Sequence, residues 1–252
     1  MTAQPVLALE HLSLQIGNVR ITDDVTLEVA EGEMLGVIGP NGAGKTTLFN
    51  LISGVIRPSS GRILLDGGDI TTASVDARAR AGLGRTFQTS NLFLGVSALE
   101  NVRLSAQAAL GGSLSLVRFP REGDRATTIA RERLAQVGLD HRSATLAGGL
   151  SHGDKRKLEI AMLLAADPRV ILLDEPMAGV GSGDVSGLIE VIRQLHQDHG
   201  RTVLMVEHHM DVVLGLVDRV AVMHHGRVLS IGTPAAVMAD REVQDAYLGE
   251  PV

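Results

Sequence analysis

Met34-Leu35-Gly36-Val37-Ile38 followed by Gly39-Pro40-Asn41-Gly42-Ala43-Gly44-Lys45-Thr46-Thr47 decides the reading of this chain. Met34 to Ile38 is a short apolar run of buried-strand type. It enters a loop, Gly39 to Thr46, that fits G-x-x-x-x-G-K-[ST]. The glycines let backbone N–H groups wrap phosphate oxygens. The N-terminus of the helix expected from about Lys45 to Ser53 adds a field that favours anions. Lys45 is placed to reach the outer phosphates, and the Thr46 hydroxyl is a ligand for Mg²⁺. A glycine-rich turn with a solvated lysine is the bland alternative, and the strand before and helix after argue against it.

Around this loop the chain reads as α/β. Val6 to Leu9, Val25 to Val29 and Arg62 to Leu65 are expected strands. Ser97 and Glu100 have capping-box spacing, so a helix is expected to start there. Helical pattern also covers about Asp124 to Val137 and Ser151 to Ala166. Residues of about 90–165 thus look like a helical insert. After Pro168 come a buried strand, Val170 to Leu173, a helix from Asp184 to Gln197 and a strand from Thr202 to Val206. Val220 to Ile231 looks like a hairpin turning at Gly226, and Thr233-Pro234 is a helix start. Strands alternating with helices argue for a largely parallel sheet.

Composition excludes several classes. The chain has 252 residues, enough for one large domain or two small ones. It has no cysteine, so disulfides, zinc–thiolate sites and cysteine nucleophiles are ruled out. Lys and Arg number 23 against 29 Asp and Glu, and the net charge of −6 argues against a nucleic-acid partner. With 4 Phe, 1 Tyr and no Trp, base-stacking platforms are scarce as well. Met1 to Leu9 does not read as a signal peptide. No uncharged apolar stretch approaches the roughly 20 residues of a membrane helix.

Asp174 ends the expected strand after Pro168, and Glu175 follows it. Paired carboxylates at the end of a buried strand are costly without a cation or donors nearby. Beside a phosphate loop they read as a Mg²⁺ ligand (Asp174) and a residue that polarises water (Glu175). An ordinary acidic loop before Pro176 is the alternative.

Further motifs make the pattern specific. Gln88 stands in Arg85-Thr86-Phe87-Gln88, Leu150-Ser151-His152-Gly153-Asp154 precedes the Asp-Glu pair, and His208 stands in Val206-Glu207-His208. With the phosphate loop, this order resembles the ATP-binding cassette (ABC) ATPases over nearly the whole chain. The resemblance implies one ABC ATPase domain over 1–252. Its fold is that of an α/β P-loop NTPase with a RecA-like core, an antiparallel β subdomain and an inserted helical subdomain. Gly39, Pro40, Asn41, Gly42, Ala43, Gly44, Lys45, Thr46, Thr47 and Gln88 would bind ATP. Thr46, Gln88 and Asp174 would hold Mg²⁺, while Glu175 and His208 would be catalytic. Two copies, or two homologous chains, would pack head to tail, with Ser151 and Gly153 of one on the ATP of the other. Permease subunits in the membrane would dock on the helical insert, placing the chain on the cytoplasmic face of the cell membrane.

Gly84 to Gln88, the Leu-Ser-His-Gly form of the signature, Asp174 to Gly179 and the ending Ala239 to Gly249 resemble a narrower group. These are the ATPases of branched-chain amino-acid importers and their amide and urea relatives, which act with an extracytoplasmic solute-binding protein. Four positions depart from the family, one of them His152, which replaces glycine in the signature. Ile16 stands where an aromatic ring is usual, Asp154 replaces glutamine, and Gly181 replaces the usual aspartate after Asp174-Glu175-Pro176. An exporter ATPase remains a rival that differs only in its partner. A soluble cassette using ATP as a mechanical switch is a rival of another class, and such proteins often carry two cassettes or long coiled coils. His208-His209 and His224-His225 are poor metal sites, because adjacent residues on a strand point to opposite faces. Lys155-Arg156-Lys157 reads as a solvated helix face.

Overall fold

The structure is a computed structural model that describes residues 4–86, 92–111, 124–197, 200–208 and 210–248. Its strands are β1 (Leu7–Ile16), β2 (Val19–Val29), β3 (Met34–Ile38), β4 (Ser60–Leu65), β5 (Gly68–Asp69), β6 (Leu83–Arg85), β7 (Val170–Asp174), β8 (Thr202–Val206), β9 (Arg219–His224) and β10 (Arg227–Gly232). Its helices are α1 (Lys45–Ser53), α2 (Val75–Arg80), α3 (Ala98–Ala109), α4 (Arg125–Gln136), α5 (His152–Ala165), α6 (Ser182–Gln197), α7 (Met210–Leu214), α8 (Pro234–Met238) and α9 (Arg241–Leu248). The chain divides into two compact units. One holds Met1–Leu83, Arg169–Glu175 and His196–Val252, and the other holds Gly84–Pro168 and Pro176–Leu195.

The first unit is built on two sheets. The six-stranded sheet runs β10-β9-β3-β8-β7-β6, with β3 parallel to β8 and β9, β7 parallel to β8, and only β10 antiparallel to its neighbour β9 among those pairs. Every residue of β3, β7 and β8 is buried. Strands covered on both faces lose the polar alternation, which is why they read as unbroken apolar runs. The four-stranded antiparallel sheet runs β2-β1-β4-β5. Between the sheets' inner faces lies α1, whose Leu48, Phe49, Leu51 and Ile52 join Leu7, Leu9, Leu12, Val25, Val37 and Leu172 in one apolar cluster.

Short strands were expected over Val6 to Leu9 and Val25 to Val29, but β1 and β2 run ten and eleven residues. His11 (φ 52°) and Asp24 (φ 56°) take left-handed conformations, and the β1–β2 register shifts around them. Such bulges break the period-two alternation that marks a strand in sequence.

The second unit is mainly helical. Ser97, Asp124 and Ser151 cap α3, α4 and α5, their side-chain oxygens accepting from the N–H groups of Glu100 (3.2 Å), Thr127 (2.6 Å) and Asp154 (3.1 Å). The three helices pack on one another through small and branched side chains, among them Ala98, Val102, Ala106, Ala130, Leu134, Leu158 and Ala161. Glu100 does not complete the capping box; it pairs instead with Arg103. Among the described residues no helix is long and apolar enough to cross a membrane.

Candidate functional site

The loop between β3 and α1 opens a cleft of about 370 Å³. Ile21, Asn41, Gly42, Ala43, Gly44, Lys45, Thr46, Thr47, Glu175 and His208 line it, all in the first unit. Gly39 adopts φ 149° and Gly44 φ 98°, angles that a residue with a Cβ rarely takes. A Cβ on Gly39 would run into the Met223 carbonyl at the end of β9. The turn between β9 and β10 also holds the loop directly, since Gly226 N–H donates to Ala43 O (3.1 Å). Thus the hairpin expected at Gly226 buttresses the phosphate loop.

Lys45 lies almost wholly buried at the start of α1. Its ammonium donates to the carbonyls of Gly39 (2.6 Å) and Pro40 (2.8 Å). Burial pushes its pKa down from the ordinary lysine range, and the Glu175 carboxylate opposes that shift. Two neutral carbonyls thus hold the ammonium, with the Glu175 carboxylate acting on it as an anion. The lysine, the positive end of α1 and the glycine-lined cleft together fit a nucleotide phosphate chain.

Asp174 ends β7 at 1% exposure. Glu175 follows at φ 47°, a left-handed conformation uncommon outside glycine, and its N–H donates to Val206 O (2.9 Å). This bend leads the chain out of the sheet beside the cleft. His208 comes from the loop after β8, and its Nε2 lies 2.8 Å from Glu175 Oε1. Thr46 and Asp174 supply oxygen donors, the ligand type a hard divalent cation takes. Gln88 lies outside the described residues.

Ser151 and Gly153 belong to the second unit. Ser151 caps α5, and Gly153 is buried where α5 meets the first turn of α6. A Cβ on Gly153 would stand 2.7 Å from Asp184 Cγ and Oδ2. Asp154 sits in the first turn of α5, where the helix field favours its charge. Arg156, a candidate to balance it, pairs with Glu159 (2.9 Å). Gly181 accepts from Asp184 N–H (2.8 Å) just ahead of α6. Ile16 ends β1 at 59% exposure, opposite Val19 at 61%.

The strand argument against His224-His225 needs correction. His225 takes φ 47° in the hairpin turn, so the rings do not diverge; their centroids are 3.9 Å apart. No group of three or more potential metal ligands forms there or elsewhere among the described residues. Sequence reasoning missed Ile21, the carbonyl of Met223 and Asp184. No motif marks them, because each meets its site through tertiary packing.

The fold and this cleft define a nucleotide-binding ATPase of the P-loop class. Residues 22–178 match the family model described as ABC transporter, and residues 227–252 match the one described as branched-chain amino acid ATP-binding cassette transporter. The chain is 36% identical to the high-affinity branched-chain amino acid transport ATP-binding protein LivG of Salmonella typhimurium, over 98% of this chain and 99% of that one. A crystal structure of the ADP conformation of an ABC-transporter cassette is 29% identical and superposes with a TM-score of 0.85, covering 98% of this chain and 100% of that one. A dimeric post-hydrolysis cassette bound to ADP and Pi is 25% identical with a TM-score of 0.74, covering 90% and 98%. This chain belongs to the ABC transporter family. It binds nucleotide and is an ATP hydrolase of the ABC transport type.

Proposed function

We propose that this chain is the ATP-binding subunit of an importer for branched-chain amino acids or related amide and urea solutes. The match of residues 227–252 to the branched-chain model carries the reading, supported by the full-length similarity to LivG. All 252 residues act as one ATPase domain, with about 90–165 as its helical insert. It works at the cytoplasmic face of the membrane beneath permease subunits, with a solute-binding protein on the far side. Phe93, Leu94 and Leu146 of the second unit are exposed apolar side chains, and Leu94 O accepts from Gly148 N–H (3.0 Å) next to Leu146. They offer an apolar surface of the kind a membrane subunit would cover.

The N–H groups of Gly39 to Thr47 and the Lys45 ammonium bind the ATP phosphates. Thr46, Asp174 and Gln88 would hold Mg²⁺, which neutralises phosphate charge when bound. Glu175 takes the proton of the water that attacks the γ-phosphorus as the bond to the ADP oxygen breaks. His208, hydrogen-bonded to Glu175, orients that carboxylate and the water. A second cassette, identical or homologous, places its Ser151 and Gly153 on the same γ-phosphate, so ATP closes the dimer and its loss opens it.

The test is Glu175→Gln protein with MgATP, tagged and purified from solubilised native membranes. An ATP-stabilised dimer bringing along a multi-spanning membrane pair and an extracytoplasmic binding protein is expected. Recovery of soluble partners only would overturn the transporter reading while leaving the phosphate chemistry in place.

A further inference from the structure

Arg78, on α2, is 1% exposed. A guanidinium this deeply buried is costly unless its donors are partnered. Here Nε donates to Ala73 O (3.1 Å), Nη1 to Leu51 O (2.6 Å) and Ile52 O (2.7 Å), and Nη2 to Thr71 O (2.8 Å). Every partner is a main-chain carbonyl.

Leu51 and Ile52 lie in the last turn of α1, where carbonyls lack the i+4 partner of the helix interior and a cation is favoured; Leu51 O also accepts from the Gly54 N–H (3.2 Å). Lys45 and Thr46 form the first turn of the same nine-residue helix. The α1 terminus is crowded around the guanidinium: Gly54 takes φ 82°, and a Cβ there would stand 2.8 Å from Arg78 Nε. Thr71 and Ala73 belong to the segment after β5, which is tied to the antiparallel sheet. Ile63 N–H donates to Thr71 Oγ1 (2.9 Å), and Ile70 N–H donates to Ile63 O (2.9 Å). One side chain therefore fastens the far end of the phosphate-binding helix to the antiparallel sheet.

We propose that Arg78 is a positioning residue of the nucleotide site, clamping the carboxyl end of α1 so that Lys45 and Thr46 at its other end meet the phosphates at the right height and rotation. A nine-residue helix is a rod about 13 Å long, so tilt or slip at one end is transmitted to the other. Displacements of about 1 Å at a site are enough to cost two orders of magnitude in function. Arg78 acts only through the helix; its hydrogen-bond partners lie outside the nucleotide cleft. The inference rests on Gly39 to Thr46 being the ATP site.

The experiment measures the Kd of a fluorescent ATP analogue and thermal unfolding for the wild type, Arg78→Met, Arg78→Lys, Gly54→Ala, Ile63→Val and Lys45→Ala. Arg78→Met is expected to raise Kd about tenfold or more in folded protein. Arg78→Lys keeps the charge but only some of the four carbonyl contacts, and is expected to fall between wild type and Arg78→Met. Ile63→Val is expected to lower Tm and leave Kd unchanged, which separates positioning from stability. If Arg78→Met does not fold, Gly54→Ala decides by the same criterion, since it displaces the guanidinium without removing it. A Kd within about twofold of wild type in the deciding variant overturns the proposal, whatever happens to Tm. If the wild type binds no nucleotide, or Lys45→Ala binds as tightly as wild type, the reading of the site itself fails.

Discussion

Replacing Gly39 by alanine tests how the phosphate loop is held. Two costs add at this position. The backbone sits at φ 149°, outside the range of residues with a Cβ, and such strain costs about 1–3 kcal/mol. The new methyl group would also stand 3.1 Å from the Met223 carbonyl carbon, with the oxygen nearer still, and 3.2 Å from Ala43 Cβ. Overpacking of this kind costs about 1–3 kcal/mol. Met223 belongs to β9, which is paired to β3, so the loop gives way before the strand does. The sum is about 2–6 kcal/mol, and at roughly 2–4 °C per kcal/mol for a domain of this size Tm falls by about 4–24 °C. Gly42→Ala is the internal control. Gly42 is left-handed (φ 80°), but nothing lies within 4 Å of its would-be Cβ. It carries only the conformational cost of about 1–2 kcal/mol. Thermal unfolding without nucleotide measures both variants, and titration with MgATP follows the displaced loop. Gly39→Ala is expected to lose more stability than Gly42→Ala and to bind MgATP at least about tenfold more weakly. A Gly39→Ala protein that melts within about 2 °C of wild type and binds MgATP as tightly would refute the buttressing role of the hairpin.

Three further outcomes follow from the same geometry. His208→Ala removes the partner of Glu175 (2.8 Å); steady-state ATPase should fall about 100-fold or more while nucleotide Kd stays within about threefold, and an equal loss in both would place His208 in binding instead. Gly153→Ala forces a methyl group against Asp184; Tm should drop by several degrees, and Asp184→Ala in the same protein should recover part of it, so two additive losses would contradict the packing. Lys45 has its folded-state pKa lowered chiefly by burial, so just below the usual lysine pKa the unfolded chain binds more protons and stability rises with pH. Melting curves from pH 7 to about 10 should show wild type gaining on Lys45→Met as pH climbs, and parallel curves would speak against burial of the charge.

Much of the site was legible because its chemistry is local in sequence. The phosphate loop, Asp174 and Glu175 sit at the ends of strands that announce themselves as apolar runs, and α1 and β8 lie where the pattern placed them. Caps at Ser97 and Thr233 were readable for the same reason, since a cap and its N–H partner are three residues apart, and the helical pattern placed the starts of α4 and α5 near their caps Asp124 and Ser151. The bulged halves of β1 and β2 were not readable, since two left-handed residues interrupt the alternation. Neither was Arg78. In sequence it is one of two arginines in Val75–Arg80, and only folding brings it to the end of α1. The packing of Gly153 against Asp184 was not readable either, because it depends on how α5 meets α6.

Glu175 keeps its left-handed backbone at a conformational cost of about 1–3 kcal/mol. Asparagine and glycine tolerate that conformation far better than glutamate does. Directed evolution that rewards heat resistance alone would therefore be drawn to this position and would remove the carboxylate to which the proposed mechanism gives the attacking water's proton. Thermostability and turnover are set against each other in a single residue, so any stabilised version of this cassette has to be selected for both at once.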